Sequence, residues 1–371
     1  MTRLARLART GLMIASLLIS ARAAVTAQTI VTFDVPDSTS TIPQGNNLLG
    51  QIAGYYQDSN FAVRAFLRQA NGDITTFDVN GSTDTKATGI NDLGWVTGSY
   101  IGTDSSYHGF VRKRNASIAT FDAPNSPYTP QPDVCEWQTT DTFPAAINLT
   151  GRIAGVHRQR LVSIVPGVTC AGIQYQGFIR KPNGTMATFG IAFPNGAIAQ
   201  YVGPHSINLP GQITGWYQYT DIGGPIGGFL RRSDASIVTF LDDNLRSVTH
   251  ATGINLFGQI TGSSRGADSQ YHAFLRQPNG NIVTFDTTGS GDTEASSIND
   301  VGQVTGYYLA TDNAYHGFLR QWNGAIDTFD APGAGGSGFA GTFPQSINLF
   351  GQITGYYQDA NFVLHGFIRQ K

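Results

Sequence analysis

Short runs of β-branched and aromatic residues alternate with clusters of Gly, Asn and Asp along almost the whole chain. Typical runs are Gly-Gln-Ile-Thr-Gly-Tyr-Tyr, His-Gly-Phe-Leu-Arg and Ile-Val-Thr-Phe-Asp. Runs of this length and kind predict strands, and the clusters between them predict tight turns. No segment carries the 3.6-residue apolar period of a long helix.

Three of these patterns recur. Ile-Asn-x-x-Gly-x-Ile/Val-x-Gly begins at Ile90, Ile147, Ile207, Ile254, Ile298 and Ile347, with a degenerate copy at Asn46-Asn47. Its first glycines (Gly50, Gly94, Gly151, Gly211, Gly258, Gly302, Gly351) are spaced by 44, 57, 60, 47, 44 and 49 residues. Phe-aliphatic-Arg recurs at Phe66, Phe110, Phe178, Phe229, Phe274, Phe318 and Phe367. Thr-Phe recurs at Phe33, Phe77, Phe121, Phe189, Phe240, Phe285 and Phe329. Each pattern gives seven copies. Each copy reads as four strands: a ends at Ile-Asn, b follows the first glycine, c holds Phe-Leu-Arg and d holds Thr-Phe-Asp. Four antiparallel strands in about 45 residues is the sequence signature of a propeller blade.

Phase separates a closed ring from an open stack. The chain starts with an orphan strand d, Ile30 to Asp34, and ends with strand c, Gly366 to Lys371. The expectation is therefore an all-β, seven-bladed β-propeller with four antiparallel strands per blade. Its N-terminal strand closes the last blade and leaves no open edge. The units are expected at about 45–78, 90–122, 147–190, 207–242, 254–286, 298–330, and 347–371 plus 30–34, in one domain of residues 28–371. Asn-Gly between c and d (Asn71, Asn183, Asn279, Asn323) predicts type I′ hairpins, which would set Phe66 opposite Phe77. The strand-c arginines are expected to pair with nearby carboxylates.

Composition agrees. Glycine numbers 45 of 371, and charged residues are only 13%; coiled coils, helical bundles and charge-rich disordered chains are excluded. The formal charge of −2 leaves no basic footprint for nucleic acid. Residues 1–27 read as an export leader: Arg3, Arg6 and Arg9, an apolar run from Gly11 to Ser20, and small residues Val25-Thr26-Ala27. Without its four arginines the chain has 19 basic and 25 acidic side chains. The expected location is periplasmic or extracellular, with no membrane span after leader removal and a monomeric state. In that oxidising setting Cys135 and Cys170, the only cysteines, are expected to form a disulfide.

The repeats resemble the bacterial extracellular HAF repeat family. The resemblance rests on Ile-Asn-x-x-Gly-x-Val-x-Gly followed by His272-Ala-Phe-Leu or His316-Gly-Phe-Leu, and covers nearly all of residues 30–371. This chain departs in the Arg after Phe-Leu and in the Phe-Asp of strand d. The resemblance implies a secreted or cell-envelope repeat protein and carries over no catalytic residues.

Residues repeated in every copy are expected to be structural. His108, His272, His316 and His365 occupy one repeat slot in different units, so packing is favoured over metal binding. The recurrent b–c loop aspartates, such as Asp104 and Asp312, read as turn formers. No cofactor or metal is called for: hydrolase, zinc-protease, P-loop and dinucleotide signatures are missing. Function is expected where the copies differ, on the face carrying the d–a and b–c loops. Loop insertions there cluster in units three and four and offer Glu136, Trp137, Tyr201, His205 and His250 as a binding site. Aromatics with a few polar groups suit a polysaccharide or an envelope protein. The leading reading is a binding or scaffold module. The alternative is a polysaccharide lyase or hydrolase using Glu136, Asp141 or Asp242 as acid and base.

Overall fold

The computed structural model describes residues 29–126, 133–219, 224–241 and 248–370; the proposed leader and Asp242 lie outside them. The described residues form strands and turns with no helix. Each sequence unit becomes one antiparallel four-stranded set in the order a-b-c-d. In unit one these are Ser38–Asn46, Ile52–Asp58, Val63–Arg68 and Ile74–Phe77; in unit two, Asp84–Ile90, Val96–Ile101, Tyr107–Arg112 and Ile118–Phe121. Unit three has a longer a–b pair, Cys135–Ile147 and Ile153–Ser163, then Ile173–Arg180 and Met186–Phe189. Unit four is Tyr201–Ile207, Ile213–Gln218, Ile226–Arg231 and Ile237–Phe240; unit five is Thr249–Ile254, Ile260–Arg265, Tyr271–Arg276 and Ile282–Phe285. Unit six is Thr293–Ile298, Val304–Leu309, Tyr315–Arg320 and Ile326–Phe329. In unit seven, Gly341–Ile347, Ile353–Gln358 and Leu364–Gln370 are completed by Thr29–Phe33, which pairs antiparallel with the C-terminal strand (Ile30 with Arg369, Thr32 with Phe367).

The core lies between neighbouring sets. Each strand-c phenylalanine, from Phe66 to Phe367, is fully buried. Each meets the strand-d phenylalanine of the preceding set edge-on, as in Phe33–Phe66 (6.2 Å), Phe77–Phe110 (6.0 Å) and Phe285–Phe318 (6.0 Å). Such edge-to-face pairs add about 0.5–1.5 kcal/mol to the gain from burial. The same strand-d rings carry the strand-c arginines: Arg68 over Phe33 (4.8 Å), Arg276 over Phe240 (4.7 Å) and Arg369 over Phe329 (4.7 Å). Where carboxylate pairing was expected, the guanidinium sits over the neighbouring ring in a cation–π contact.

The c–d turns also differ from expectation. Gly72, Gly184, Gly280 and Gly324 have positive φ, whereas the asparagines before them do not. The N–H of Gly72 bonds the carbonyl of Gln69, and the N–H of Gln69 bonds the carbonyl of Asp73. This is a three-residue loop with a glycine bulge, not a type I′ turn. Its extra residue slides the register by one: Phe66 stands opposite Thr76, and Phe77 opposite Ala65. That slip releases both rings to neighbouring sets. Ala116 (φ 66°) and Ala235 (φ 72°) take the glycine's place in units two and four.

The asparagine of Ile-Asn joins adjacent sets. Its Oδ1 accepts backbone N–H groups of its own a–b turn, as in Asn148 with Arg152 (3.0 Å). Its Nδ2 donates to the carbonyl of the next asparagine: Asn47 to Asn91, Asn91 to Asn148, Asn148 to Asn208 and Asn208 to Asn255. Asn255 continues to Asn299, Asn299 to Asn348, and Asn348 to Asn47. Beyond these buried asparagines the a–b turns present Leu49, Leu93, Leu149, Leu209, Phe257, Val301 and Phe350, all exposed.

At the opposite end, four units carry an Asp-His-Asp clamp. His108 faces Asp122 through Nδ1 (2.8 Å) and Asp104 through Nε2 (3.1 Å). His272 and His316 repeat this with Asp286 and Asp268, and with Asp330 and Asp312; His365 holds Asp34 through Nδ1 at 2.9 Å. Burial alone would lower the pKa of His108, His272 and His316, but two aspartates apiece raise it above the ordinary value. In unit one Arg64 fills the slot, paired with Asp58 (3.0 Å) and Asp78.

Candidate functional site

One irregularity recurs in every strand a and builds the site. Opposite the second glycine of the Ile-Asn motif the register shifts, between Pro43 and Gly45, Ala87 and Gly89, Pro144 and Ala146, and at the matching place in the other units. The glycine is what permits it. A Cβ on Gly98, Gly215, Gly262 or Gly306 would strike the facing carbonyl oxygen of Lys86, Gly203, His250 or Glu294. A bulge leaves one residue out of the ladder and re-aims its side chain. Here those residues are Gln44, Thr88, Ala145, His205, Thr252, Ser296 and Gln345, and all seven line one central cavity of about 450 Å³. Among them only His205 titrates. Its Nδ1 bonds the carbonyl of Thr252 (3.1 Å); its side chain is open to the cavity, and desolvation by the surrounding walls lowers its pKa. Thr88 and Thr252 donate to Pro144 and Ala295 of the next strands a (2.9 and 2.8 Å).

Two residues earlier in each strand a comes a second ring, nearer the d–a and b–c loops: Ile42, Lys86, Phe143, Gly203, His250, Glu294 and Phe343. The strand-b residue facing each position is aromatic in four units: Tyr55, Trp216, Tyr307 and Tyr356. By register these aromatics form a collar two residues loop-ward of the cavity-lining positions, and Phe143 and Tyr201 line the cavity itself. In one cluster Tyr201 stacks on Trp216 (4.3 Å, 15°), which meets His250 (5.2 Å). Phe343 stacks on Tyr356 (5.1 Å, 20°) and meets Tyr307 edge-on (5.3 Å). Lys86 Nζ lies 5.4 Å from the Tyr55 ring centre.

The collar holds three ionisable side chains besides its tyrosines. Burial raises the Glu294 carboxyl, which bonds the Tyr307 hydroxyl. Burial, and then the nearby His205, lower His250. Both histidines are therefore neutral at pH 7 and offer donor and acceptor sites without charge. Stacking faces, two neutral imidazoles, a carboxyl and an ammonium around a polar well suit a polyhydroxylated ligand. Among the described residues the hydrogen-bond partner of His205 is a backbone carbonyl rather than a carboxylate.

Of the residues singled out in the sequence, Tyr201, His205 and His250 come together at this mouth. Glu136 and Trp137 stand apart on the long hairpin of unit three. Trp137 is 9% exposed and packs with Leu161 and the Cys135–Cys170 disulfide, the bond expected from the sequence. Glu136 accepts a bond from Gln138 (2.9 Å). Asp141 is buried, ion-paired with Arg158 (2.6 Å), and accepts the N–H of Tyr107 (3.1 Å), a structural role. Trp216, Tyr307, Tyr356, Glu294 and Lys86 were missed because they sit inside repeated strands. A signal existed: position by position, the residue five before the motif asparagine varies more than its neighbours.

No protein-family model and no curated protein sequence matches the chain. Its fold is similar to that of solved structures. A streptogramin B lyase has TM-score 0.52 and 12% identity over 92% of this chain and 98% of that one. An acylaminoacyl peptidase from Pyrococcus horikoshii has TM-score 0.57 and 8% identity, covering 90% of this chain and 52% of the peptidase. A puromycin hydrolase has TM-score 0.52 and 10% identity over 88% and 52%. The chain thus spans about half the length of the latter two. At these identities the likeness is one of fold, and the architecture is β-propeller-like.

Proposed function

We propose that this chain is an exported HAF-type repeat protein whose seven units close into a seven-bladed ring, and that it acts as a glycan-binding module. Closure is supported by the asparagine series that returns from Asn348 to Asn47, and by Asn46. Asn46 replaces the usual Ile and bonds the carbonyl of Gln352 and the hydroxyl of Ser346 (both 2.9 Å). Export to the periplasm or cell exterior is supported by the leader-like sequence and the disulfide.

The observation that carries the binding reading is the aromatic collar over a polar, mostly uncharged well. Aromatic faces cover the apolar face of a sugar ring, and the amides and hydroxyls below meet its hydroxyls. This moves the proposed site from the unit-three hairpin to the central mouth, retaining Tyr201, His205 and His250. The test is retardation in native gels cast with a panel of neutral and acidic polysaccharides. One glycan is expected to slow the protein, with affinity reduced about tenfold, or roughly 1.4 kcal/mol, in Trp216→Ala and in Tyr356→Ala. Retardation unchanged in both variants, or none with any glycan, overturns this reading. Shortened product in the retarded lanes would favour a polysaccharide lyase or hydrolase instead.

A further inference from the structure

We propose that the face carrying the a–b and c–d turns is a docking surface for an anionic lipid bilayer. The first observation is apolar. Every a–b turn carries an exposed Leu, Val or Phe, with Phe257 65% and Phe350 61% exposed, and Trp322 of a c–d turn is 75% exposed. The opposite end also exposes Phe61, Phe339 and Phe362 on its loops, but only the turn end repeats such a tip in every unit. Trp322, Val301 and Val283 also line an open cavity of about 320 Å³ there.

The second observation is charge. Of the seven strand-c arginines at this end, Arg112, Arg276 and Arg369 are buried; Arg68, Arg180, Arg231 and Arg320 are part-exposed, and the turns add Lys113, Arg114, Arg152, Lys181 and Arg232, making nine accessible cations among the described residues. Only five carboxylates share the face: Asp73, Asp92, Asp234, Asp300 and Asp327. The whole sequence holds 25 acidic against 23 basic side chains, so this end is set apart by its positive charge.

The combination selects the occupant. Two copies meeting through this face would bring two sets of cations together, which disfavours self-association. The apolar groups are separate tips on polar turns rather than one continuous patch, with guanidiniums behind them. Tips of this kind enter the headgroup region while cations meet lipid phosphates, and a tryptophan at that level matches an interfacial anchor. No helix among the described residues is long and apolar enough to cross a membrane.

The test is flotation of the purified protein with vesicles of phosphatidylcholine alone or mixed with phosphatidylglycerol. The protein is expected to float with the mixed vesicles, on the order of tenfold better than with the neutral ones, and to be released by salt. Phe257→Ser with Phe350→Ser, and separately Lys113→Glu with Lys181→Glu, are expected to abolish flotation while the melting temperature holds. Trp322 emission should shift to the blue on mixed vesicles, and the shift should vanish in Trp322→Phe. Failure to float, or flotation untouched by both pairs of substitutions, overturns the proposal. So does a concentration-dependent dimer lost in Phe257→Ser with Phe350→Ser, which would assign the face to a second copy.

Discussion

At the turn end of the sheets, the same residues recur from unit to unit: an asparagine bonded to the next unit, and an arginine lying on its neighbour's phenylalanine. At the mouth end of the same strands, one position reads Ile42, Lys86, Phe143, Gly203, His250, Glu294 and Phe343. Contacts that join units must be alike, because each unit offers its neighbour the same surface. A cavity lined by one residue from each unit has no such requirement, and its chemistry is free to vary. The comparison teaches that in this chain repetition marks the fold, and variation within a repeated strand marks the candidate site.

The largest effects should come from breaking the joining end. Phe274→Ala empties a fully buried position and is expected to cost about 3–5 kcal/mol in denaturant unfolding. Asn299→Ala leaves the N–H of Gln303 and the carbonyl of Asn348 without their partner, and is expected to cost about 1–3 kcal/mol. Trp216→Ala at the half-buried mouth should cost clearly less stability than either, while it weakens glycan retention. A mouth substitution as destabilising as Phe274→Ala would erase the distinction.

Titration gives a subtler contrast, between the outer clamps and the enclosed histidines. The clamp histidines His108, His272 and His316 have raised folded pKa values. Their contribution is full below the unfolded value of about 6.5 and is lost as pH rises through the folded values. Their partners Asp104, Asp268 and Asp312 are lowered, so their share is lost as acid approaches the usual carboxylate range. His157 is opposite in sign: fully buried, with pKa lowered to about 4, it destabilises the fold progressively from pH 6.5 downward. Melting curves between pH 4 and 8 should therefore show that the triple replacement of the clamp histidines by Gln loses most stability near pH 5 and little near pH 8. His157→Gln should gain stability in acid. Parallel pH profiles for the two variants would refute the contrast.

The smallest effect expected is a gain. Ala116 and Ala235 hold the left-handed conformation that glycine holds in the other c–d turns. Ala116→Gly and Ala235→Gly should each raise stability by about 0.5 kcal/mol, the relief of αL strain exceeding the added unfolded-state entropy. A loss in both would mean that the turn carries no strain.

Much of this was legible in the chain itself. Strand order, the orphan Ile30 strand that pairs with the C-terminus and the Cys135–Cys170 bond follow from local patterns and their spacing. The turn type was misread because Asn-Gly serves two hairpin classes, and only the register at Phe66 and Thr76 separates them. Trp137 looked like a ligand-facing aromatic because its loop was irregular in length, yet it fills the small core of its own hairpin.

How many times the unit recurs, which residues make its strands and turns, and which of them repeat can all be read along the chain. These are properties of nearest neighbours along the chain, written in alternation, glycines and spacing. Which varied positions meet is set by how one sheet packs on the next. A bulge opposite a glycine turns one side chain per unit toward the centre, and residues as distant in sequence as Gln44, His205 and Gln345 come to line one cavity. Which side chains share the mouth depends on register and on the packing of one sheet against the next, and spacing within a single unit does not encode either.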